Sequence, residues 1–152
     1  MSSSVLCIGV GNEFRGDDAV GLIAARMLQA RRLPGLRVIE QSGEGAALMA
    51  AWGSATAVFL VDAVSSGAAP GTIYRLDARS LPIPTEFFHY STHAFSVAEA
   101  VEMARALDEL PPRLVVYGIE GANFGLGIGL SPAVEAALPA LVEQMAAEIL
   151  HP

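Results

Sequence analysis

Two short segments that are almost continuously apolar constrain the fold of this chain more than any other feature. Residues 4–10 and 57–64 read SVLCIGV and AVFLVDAV, and Asp62 is the one charged residue in either. A strand without polar alternation is typical of the interior of a parallel sheet that is covered on both faces. We therefore predict that both segments are central strands.

The other predicted elements alternate between strands and helices. Further strands are predicted over residues 36–40, 71–77 and 114–119, and helices over 17 or 18 to 31, 46–52, 95–109 and from Pro132 to the end. Residues 71–77 have a mixed pattern, which favours an edge position. Regular alternation predicts an α/β three-layer sandwich, with a mostly parallel five-stranded sheet and helices on both faces. We expect residues 1–152 to form one domain.

Composition and charge exclude several classes of protein. The single cysteine, Cys7, excludes an internal disulfide and a multi-cysteine zinc site, and we expect it to be buried in the first strand. The net charge of −7 argues against nonspecific nucleic-acid binding, which requires basic residues. Apolar runs fall short of the roughly 20 residues that span a membrane. No signal-peptide pattern is present, so we expect a soluble cytoplasmic protein.

The segment GVGNEFRGDDAVG, residues 9–21, resembles a phosphate-binding loop but lacks the residues that hold phosphate. Gly11 and Gly16 have P-loop spacing, yet Asp17 and Asp18 stand where lysine and serine or threonine would be required. Phe14 occupies the third glycine position of the dinucleotide fingerprint. Two carboxylates would repel a pyrophosphate, so we expect no nucleotide cofactor.

Polar residues follow the predicted strands at the edge where ligands bind in open α/β sheets. The residues concerned are Asn12, Glu13, Asp17, Asp18, Asp62 and Glu120. A carboxylate within an apolar strand is costly unless it is paired, hydrogen-bonded or bound to a cation. The predicted topology therefore brings Asp18 and Asp62 together as candidate metal ligands, although each alone has a structural explanation, as a helix-dipole partner or a loop cap.

A histidine completes the candidate metal site. His93 is expected to be the third ligand, and His89 a neighbouring supporting or solvent-exposed group. Two carboxylates and one imidazole suit nickel, zinc, manganese or iron, and three protein ligands leave a coordination position open. We expect Asp17 to cap the first helix. Asn12, Asp17, His89 and Glu120 are assigned as substrate-binding or supporting residues.

Three motifs, in order along the chain, resemble those of the nickel–iron hydrogenase maturation endopeptidases. They are GVGNEFRGDDAVG at 9–21, VDAV at 61–64 and STHAF at 91–95, and LSPAVEAAL precedes the final helix. The family's fold is an α/β sandwich around a twisted sheet. Its members remove a C-terminal peptide from the hydrogenase large-subunit precursor after nickel insertion. Its metal-recognising positions correspond to Asp18, Asp62 and His93.

The resemblance implies that nickel arrives within the precursor, held by the precursor's own cysteines. The reaction would then use Lewis-acid polarisation of the scissile carbonyl or activation of a water, with no protein nucleophile. Alternatively, Asp18 or Asp62 would act as general base. A nonproteolytic nickel-checkpoint or chaperone module that binds the metallated precursor would use the same residues.

Two other segments have both a functional and a structural interpretation. Residues 81–92, with Phe87, Phe88 and Tyr90, would serve as an aromatic flap or would pack under a loop. Residues 121–129 would frame an extended peptide or would connect a strand to a helix.

Overall fold

The computed structural model describes residues 4–84 and 96–151. Within them, five strands form one sheet in the order β2-β1-β3-β5-β4. The strands are β1 Val5–Val10, β2 Leu36–Gln41, β3 Ala57–Val64, β4 Ile73–Asp77 and β5 Arg113–Glu120. All neighbours are parallel except β4, which pairs antiparallel with β5 at the edge. The prediction of a mostly parallel five-stranded sheet, with residues 71–77 at its edge, is confirmed.

Helices cover both faces of this sheet. They are α1 Val20–Ala30, α2 Gly45–Trp52, α3 Val97–Ala106 and α4 Pro132–Leu150. Helices α1 and α4 pack with side chains such as Phe59 and Val61, whereas α2 and α3 pack with Leu60 and Val58. This division follows from the two-residue period of a strand, which sends alternate side chains of β3 to opposite faces. The predicted three-layer sandwich is confirmed.

The central strands are as buried as their apolar sequences predict. Every residue of β3 is buried, including Asp62, and Cys7 in β1 has no exposed surface. Burial raises the pKa of the Cys7 thiol to about 12, which keeps it protonated and unreactive. Within the described residues, 4–84 and 96–151, no helix is both long and apolar enough to cross a membrane.

The first helix begins later than predicted. Gly16–Ala19 form a separate 3₁₀ turn, and α1 starts only at Val20. The backbone explains the difference: Gly16 has a φ of 56°, and the amide of Asp17 donates to the carbonyl of Asn123 at 2.8 Å. Tertiary hydrogen bonds therefore replace the first helical turn expected from the sequence.

The other two long helices begin at residues that favour a helix start. Ser96 and Glu99 form a capping box at α3, and Ser131 precedes Pro132 at the first position of α4. The Ser131 hydroxyl does not cap its own helix.

Candidate active site at the carboxyl edge of the sheet

Asp18 and Asp62 come from separate elements and lie at the same edge of the sheet. Gly9 pairs with Val61 in the register of β1 and β3, so Asp62 lies level with Val10 near the end of β1. One residue further, a Cβ at Gly11 would stand 2.0 Å from the carbonyl oxygen of Asp18. The 3₁₀ turn that carries Asp18 therefore rests on the end of β1, beside the strand that carries Asp62.

Asp62 is a buried carboxylate in an apolar strand. Its side chain belongs to the same period-two set as Val58 and Leu60, which places it on the face covered by α2 and α3. It is 4% exposed, and its Oδ1 accepts a hydrogen bond from the amide of Ala63 at 2.8 Å. Asp18 is half-buried, so the two carboxylates differ in their access to water.

Gly21, the last glycine of the segment 9–21, allows close contact between the backbones of α1, β1 and β3. A Cβ on Gly21 would stand 2.3 Å from the carbonyl oxygen of Val10 and 2.4 Å from that of Val61. Both distances are too short for any side chain, so Gly21 allows the start of α1 to press directly onto β1 and β3. Close packing of helix on strand, and not a phosphate cradle, accounts for this glycine.

Asp17 points into the protein and binds a distant segment. Its carboxylate accepts hydrogen bonds from the amides of Ala122 at 2.7 Å, Asn123 at 2.9 Å and Ser131 at 2.7 Å, and from the Ser131 hydroxyl at 2.7 Å. Burial raises the pKa of Asp17, but these hydrogen bonds outweigh it and leave the pKa below its usual value. The prediction that Asp17 caps the first helix is wrong, because the donors that surround its carboxylate belong to the 122–131 segment.

Glu120 also lies at the carboxyl edge, where it supports a turn. Its carboxylate accepts from the amides of Ser66 at 2.8 Å and Gly67 at 3.3 Å, from the Ser66 hydroxyl, and from the Tyr74 hydroxyl at 3.3 Å. The side chain is 2% exposed. Glu120 thereby ties the connection after β3 to β4 and β5, which is a supporting position.

Asn12 and Glu13 are exposed on the loop that leaves β1. The Asn12 Oδ1 accepts from the amide of Phe14 at 2.9 Å and shapes the loop. The Glu13 carboxylate stands 3.8 Å from the guanidinium of Arg26, which also binds Glu40. Both residues therefore remain accessible beside the 3₁₀ turn.

Glu44 also lies near this edge, and it is not among the residues predicted from the sequence. Its carboxylate caps α2 by accepting from the amides of Ala46 at 3.1 Å and Ala47 at 3.0 Å. The connection that contains it follows β2, whose last residue, Gln41, accepts from the amide of Gly11 at 3.0 Å. A glutamate directly before an Ala-rich helix was the available signal, although N-cap positions favour shorter side chains.

The predicted histidines, His89 and His93, lie outside the described residues, as do Phe87, Phe88 and Tyr90 of the predicted aromatic flap. Among residues 4–84 and 96–151, no three His, Cys, Asp or Glu side chains are grouped closely enough to hold a metal ion. The three-residue ligand set therefore stays a prediction, of which the structure describes the two carboxylates.

Known proteins match this chain along nearly its whole length. The family model described as HycI, hydrogenase maturation protease, matches residues 22–148. Hydrogenase 2 maturation protease of Escherichia coli is 30% identical over 149 residues, which cover 95% of this chain and 90% of the relative.

Solved structures of the same kind share the fold. The hydrogenase maturating endopeptidase HybD of E. coli superposes with a TM-score of 0.82 at 25% identity, covering 97% of this chain and 93% of that one. The nickel–iron hydrogenase maturation protease HybD of Thermococcus kodakarensis gives 0.68 at 26% identity, covering 97% and 98%. Sequence and fold thus lead to the same conclusion: this chain belongs to the hydrogenase maturation protease family.

Proposed function

We propose that this protein is the endopeptidase that removes the C-terminal peptide of a nickel–iron hydrogenase large-subunit precursor after nickel insertion. One observation supports this proposal most: two carboxylates from separate elements, Asp18 and Asp62, lie at the carboxyl edge of the sheet in a member of this protease family. That edge is where open α/β sheets bind their ligands.

Nickel enters this proposal as part of the substrate. Asp18, Asp62 and His93 would approach it with two carboxylate oxygens and one imidazole nitrogen, a donor set that suits nickel. Asp62 is held in place by its strand and by the Ala63 amide, so its orientation is set before the substrate arrives. Nickel would polarise the scissile carbonyl or lower the pKa of a water.

The order of elements along the chain is consistent with a histidine ligand that comes from the segment before α3. His93 precedes the cap Ser96 by three residues. Helix α3 leads through residues 107–112 to the amino end of β5. A helix that leads into a parallel strand runs back along it, so its own amino end is directed towards the carboxyl edge.

The two carboxylates are alternatives for the general base. Asp18 is half-buried and so has access to water, whereas Asp62 is almost fully buried. Either residue would accept a proton from the attacking water once substrate is bound.

The test is cleavage of nickel-loaded large-subunit precursor by the purified protein, followed by mass spectrometry of the precursor. We expect the wild type to shorten the precursor at its C-terminus. Asp18→Asn, Asp62→Asn and His93→Ala should each reduce the rate of cleavage by at least about a hundredfold, because each removes a group at the reacting centre.

Matched controls are available at positions away from this edge. Asp108→Asn places the same change at an exposed residue with a φ of 57°, a conformation that asparagine tolerates. His151→Ala changes an exposed terminal histidine. Both should cleave at the wild-type rate. Full activity in all three site variants would contradict the assigned residues, and an intact precursor that forms a complex with the wild type would indicate the nonproteolytic checkpoint function instead.

A further inference from the structure

Two large apolar side chains project into solvent from the loop between β5 and α4. Leu126 is 82% exposed and Ile128 is 84% exposed, the highest values among large apolar residues in the described part of the chain. Phe14, on the loop after β1, is 59% exposed. Clustered exposed apolar side chains are uncommon on monomeric proteins unless they bind a partner.

Backbone hydrogen bonds hold the two loops together. The amide of Gly127 donates to the carbonyl of Phe14 at 2.9 Å, and the amide of Gly16 donates to the carbonyl of Gly127 at 3.0 Å. Arg15 and Gly127 thus form a parallel β-bridge. The buried Asp17 carboxylate fixes both ends of the same loop through Ala122 and Ser131. These apolar side chains therefore stand on a fixed support, and a partner that binds them loses less conformational entropy than on a free loop.

The glycines around Leu126 and Ile128 leave the backbone accessible. Gly127 and Gly129 have φ values of 141° and 113°, and a Cβ at either position would meet nothing within 4 Å. Glycine is therefore not required here for lack of room. It is required by the positive φ values, and the resulting open surface can be approached closely by another chain.

Arg15 adds a positive charge to this surface. Its side chain is exposed and makes no hydrogen bond or ion pair within residues 4–84 and 96–151. In a protein of net charge −7, this exposed guanidinium, next in the chain to Phe14, is complementary to a carboxylate of a partner.

The surface adjoins the candidate active site. The amide of Asp18 donates to the carbonyl of Arg15 at 3.1 Å, so the residue assigned to metal recognition is hydrogen-bonded to the loop that carries Phe14 and Arg15. A polypeptide that places a bond at Asp18 must pass close to this surface.

We propose that Phe14, Arg15, Leu126 and Ile128 form a docking platform for the hydrogenase large-subunit precursor. The platform binds an apolar segment of the precursor that also carries a carboxylate. Apolar side chains of the precursor cover Leu126 and Ile128, and the precursor's carboxylate pairs with Arg15. This inference rests on the proposed function, because it names how the substrate of that site is held.

Steady-state cleavage of nickel-loaded precursor by two platform variants tests this proposal. Leu126→Ser combined with Ile128→Ser should raise KM about tenfold or more, while kcat at saturating precursor stays unchanged, because docking contacts are equal in the ground and transition states. Arg15→Gln should slow association of the precursor, so KM should rise several-fold and kcat/KM should depend less on ionic strength.

The opposite edge of the sheet offers matched controls. Leu107 is 54% exposed at the end of α3 that leads to the amino end of β5. Arg79 is exposed and follows β4, whose end pairs with the amino end of β5. Leu107→Ser and Arg79→Gln should leave KM at its wild-type value. A photo-crosslinking residue at position 126 should attach to the precursor, and the same residue at position 107 should not.

Each outcome separates the two proposals. Wild-type KM in both platform variants, with wild-type protein that cleaves, would overturn the platform and leave the proposed function intact. A crosslink from position 126 to a second copy of this chain, with loss of a dimer in the Leu126→Ser, Ile128→Ser protein, would assign the surface to self-association. That result would also overturn the docking platform. Failure of the wild type to cleave would count against the proposed function itself.

Discussion

At the scale of single residues, two adjacent aspartates do different work. Asp17 has no exposed surface and receives four hydrogen bonds, whereas Asp18 is half-buried at the carboxyl edge. The two adjacent carboxylates therefore have separate roles: Asp17 is an internal anchor, and Asp18 is a candidate metal ligand. The anchor fixes the loop that approaches the site, which couples the shape of the site to the stability of the fold.

We predict that Asp17→Ala lowers the free energy of unfolding by about 2–4 kcal/mol, because it removes the buried carboxylate that accepts from the amides of Ala122, Asn123 and Ser131. Urea denaturation at pH 7 measures the change. Ser131→Ala removes only the hydroxyl donor and should cost about 1 kcal/mol. Equal losses in both variants would contradict the anchoring role of the Asp17 carboxylate.

At the scale of elements, Glu148 fastens α4 to β4 and β5. Its carboxylate binds Arg113 at 2.6 Å, Arg75 Nε at 2.9 Å, and the hydroxyl of Tyr117. Its side chain is 13% exposed, so the pairing is largely shielded from water. The Arg75 guanidinium, helped by Tyr117 and Arg113, lowers the pKa of Glu148 to about 2 against the opposing effect of burial.

This lowered pKa predicts a pH-dependent contribution to stability. A carboxyl whose pKa is lowered by folding stabilises the native state above its unfolded pKa, near 4.5, and loses that contribution as pH falls towards 2. Glu148→Gln should therefore be about 2–3 kcal/mol less stable than wild type between pH 5 and 8, with a difference that shrinks below pH 4.5. Denaturation at several pH values measures it.

Glu143→Gln is the control on the same helix. Glu143 pairs with Arg31, but its side chain is 66% exposed, so its removal should change stability little at any pH. A Glu148→Gln difference that stays constant down to pH 2 would show that shape, and not charge, holds α4 in place.

At the scale of the whole molecule, the proposed function requires a site that the protease and the precursor complete together. If nickel arrives held by the precursor, the protease completes a coordination shell that neither protein forms alone. The topology is suited to this, because an edge of the sheet between loops is open to a second protein, whereas both faces are closed by helices.

We predict that nickel-loaded precursor binds the protease at least about tenfold more tightly than nickel-free precursor, because metal coordination adds to the docking contacts. Titration calorimetry with each form measures the ratio. Asp62→Asn should bring the two affinities together, and Asp108→Asn should leave the ratio unchanged. Equal affinities for both precursors in the wild type would contradict metal recognition.

Much of the architecture was predictable from local patterns. The apolar run 57–64 and the observed strand β3 have the same bounds, and the mixed pattern at 71–77 correctly indicated an edge strand. The start of the first helix was not predictable, because Asp17 has a normal helix-start sequence around it. The donors that hold it lie 105 to 114 residues away in the chain.

Local sequence patterns were therefore enough to predict the layers, the edge position of residues 71–77 and the edge of the sheet at which Asp18 and Asp62 lie. Hydrophobic periodicity and the carboxyl-edge rule depend on neighbouring residues and on chain direction, which can be read along one segment at a time. Long-range packing, in contrast, turns Asp17 inward, gives its carboxylate the Ser131 hydroxyl as a donor, and leaves Leu126 and Ile128 exposed. Those outcomes arise when two loops more than 100 residues apart meet, and each side chain then takes the partner that the other loop provides.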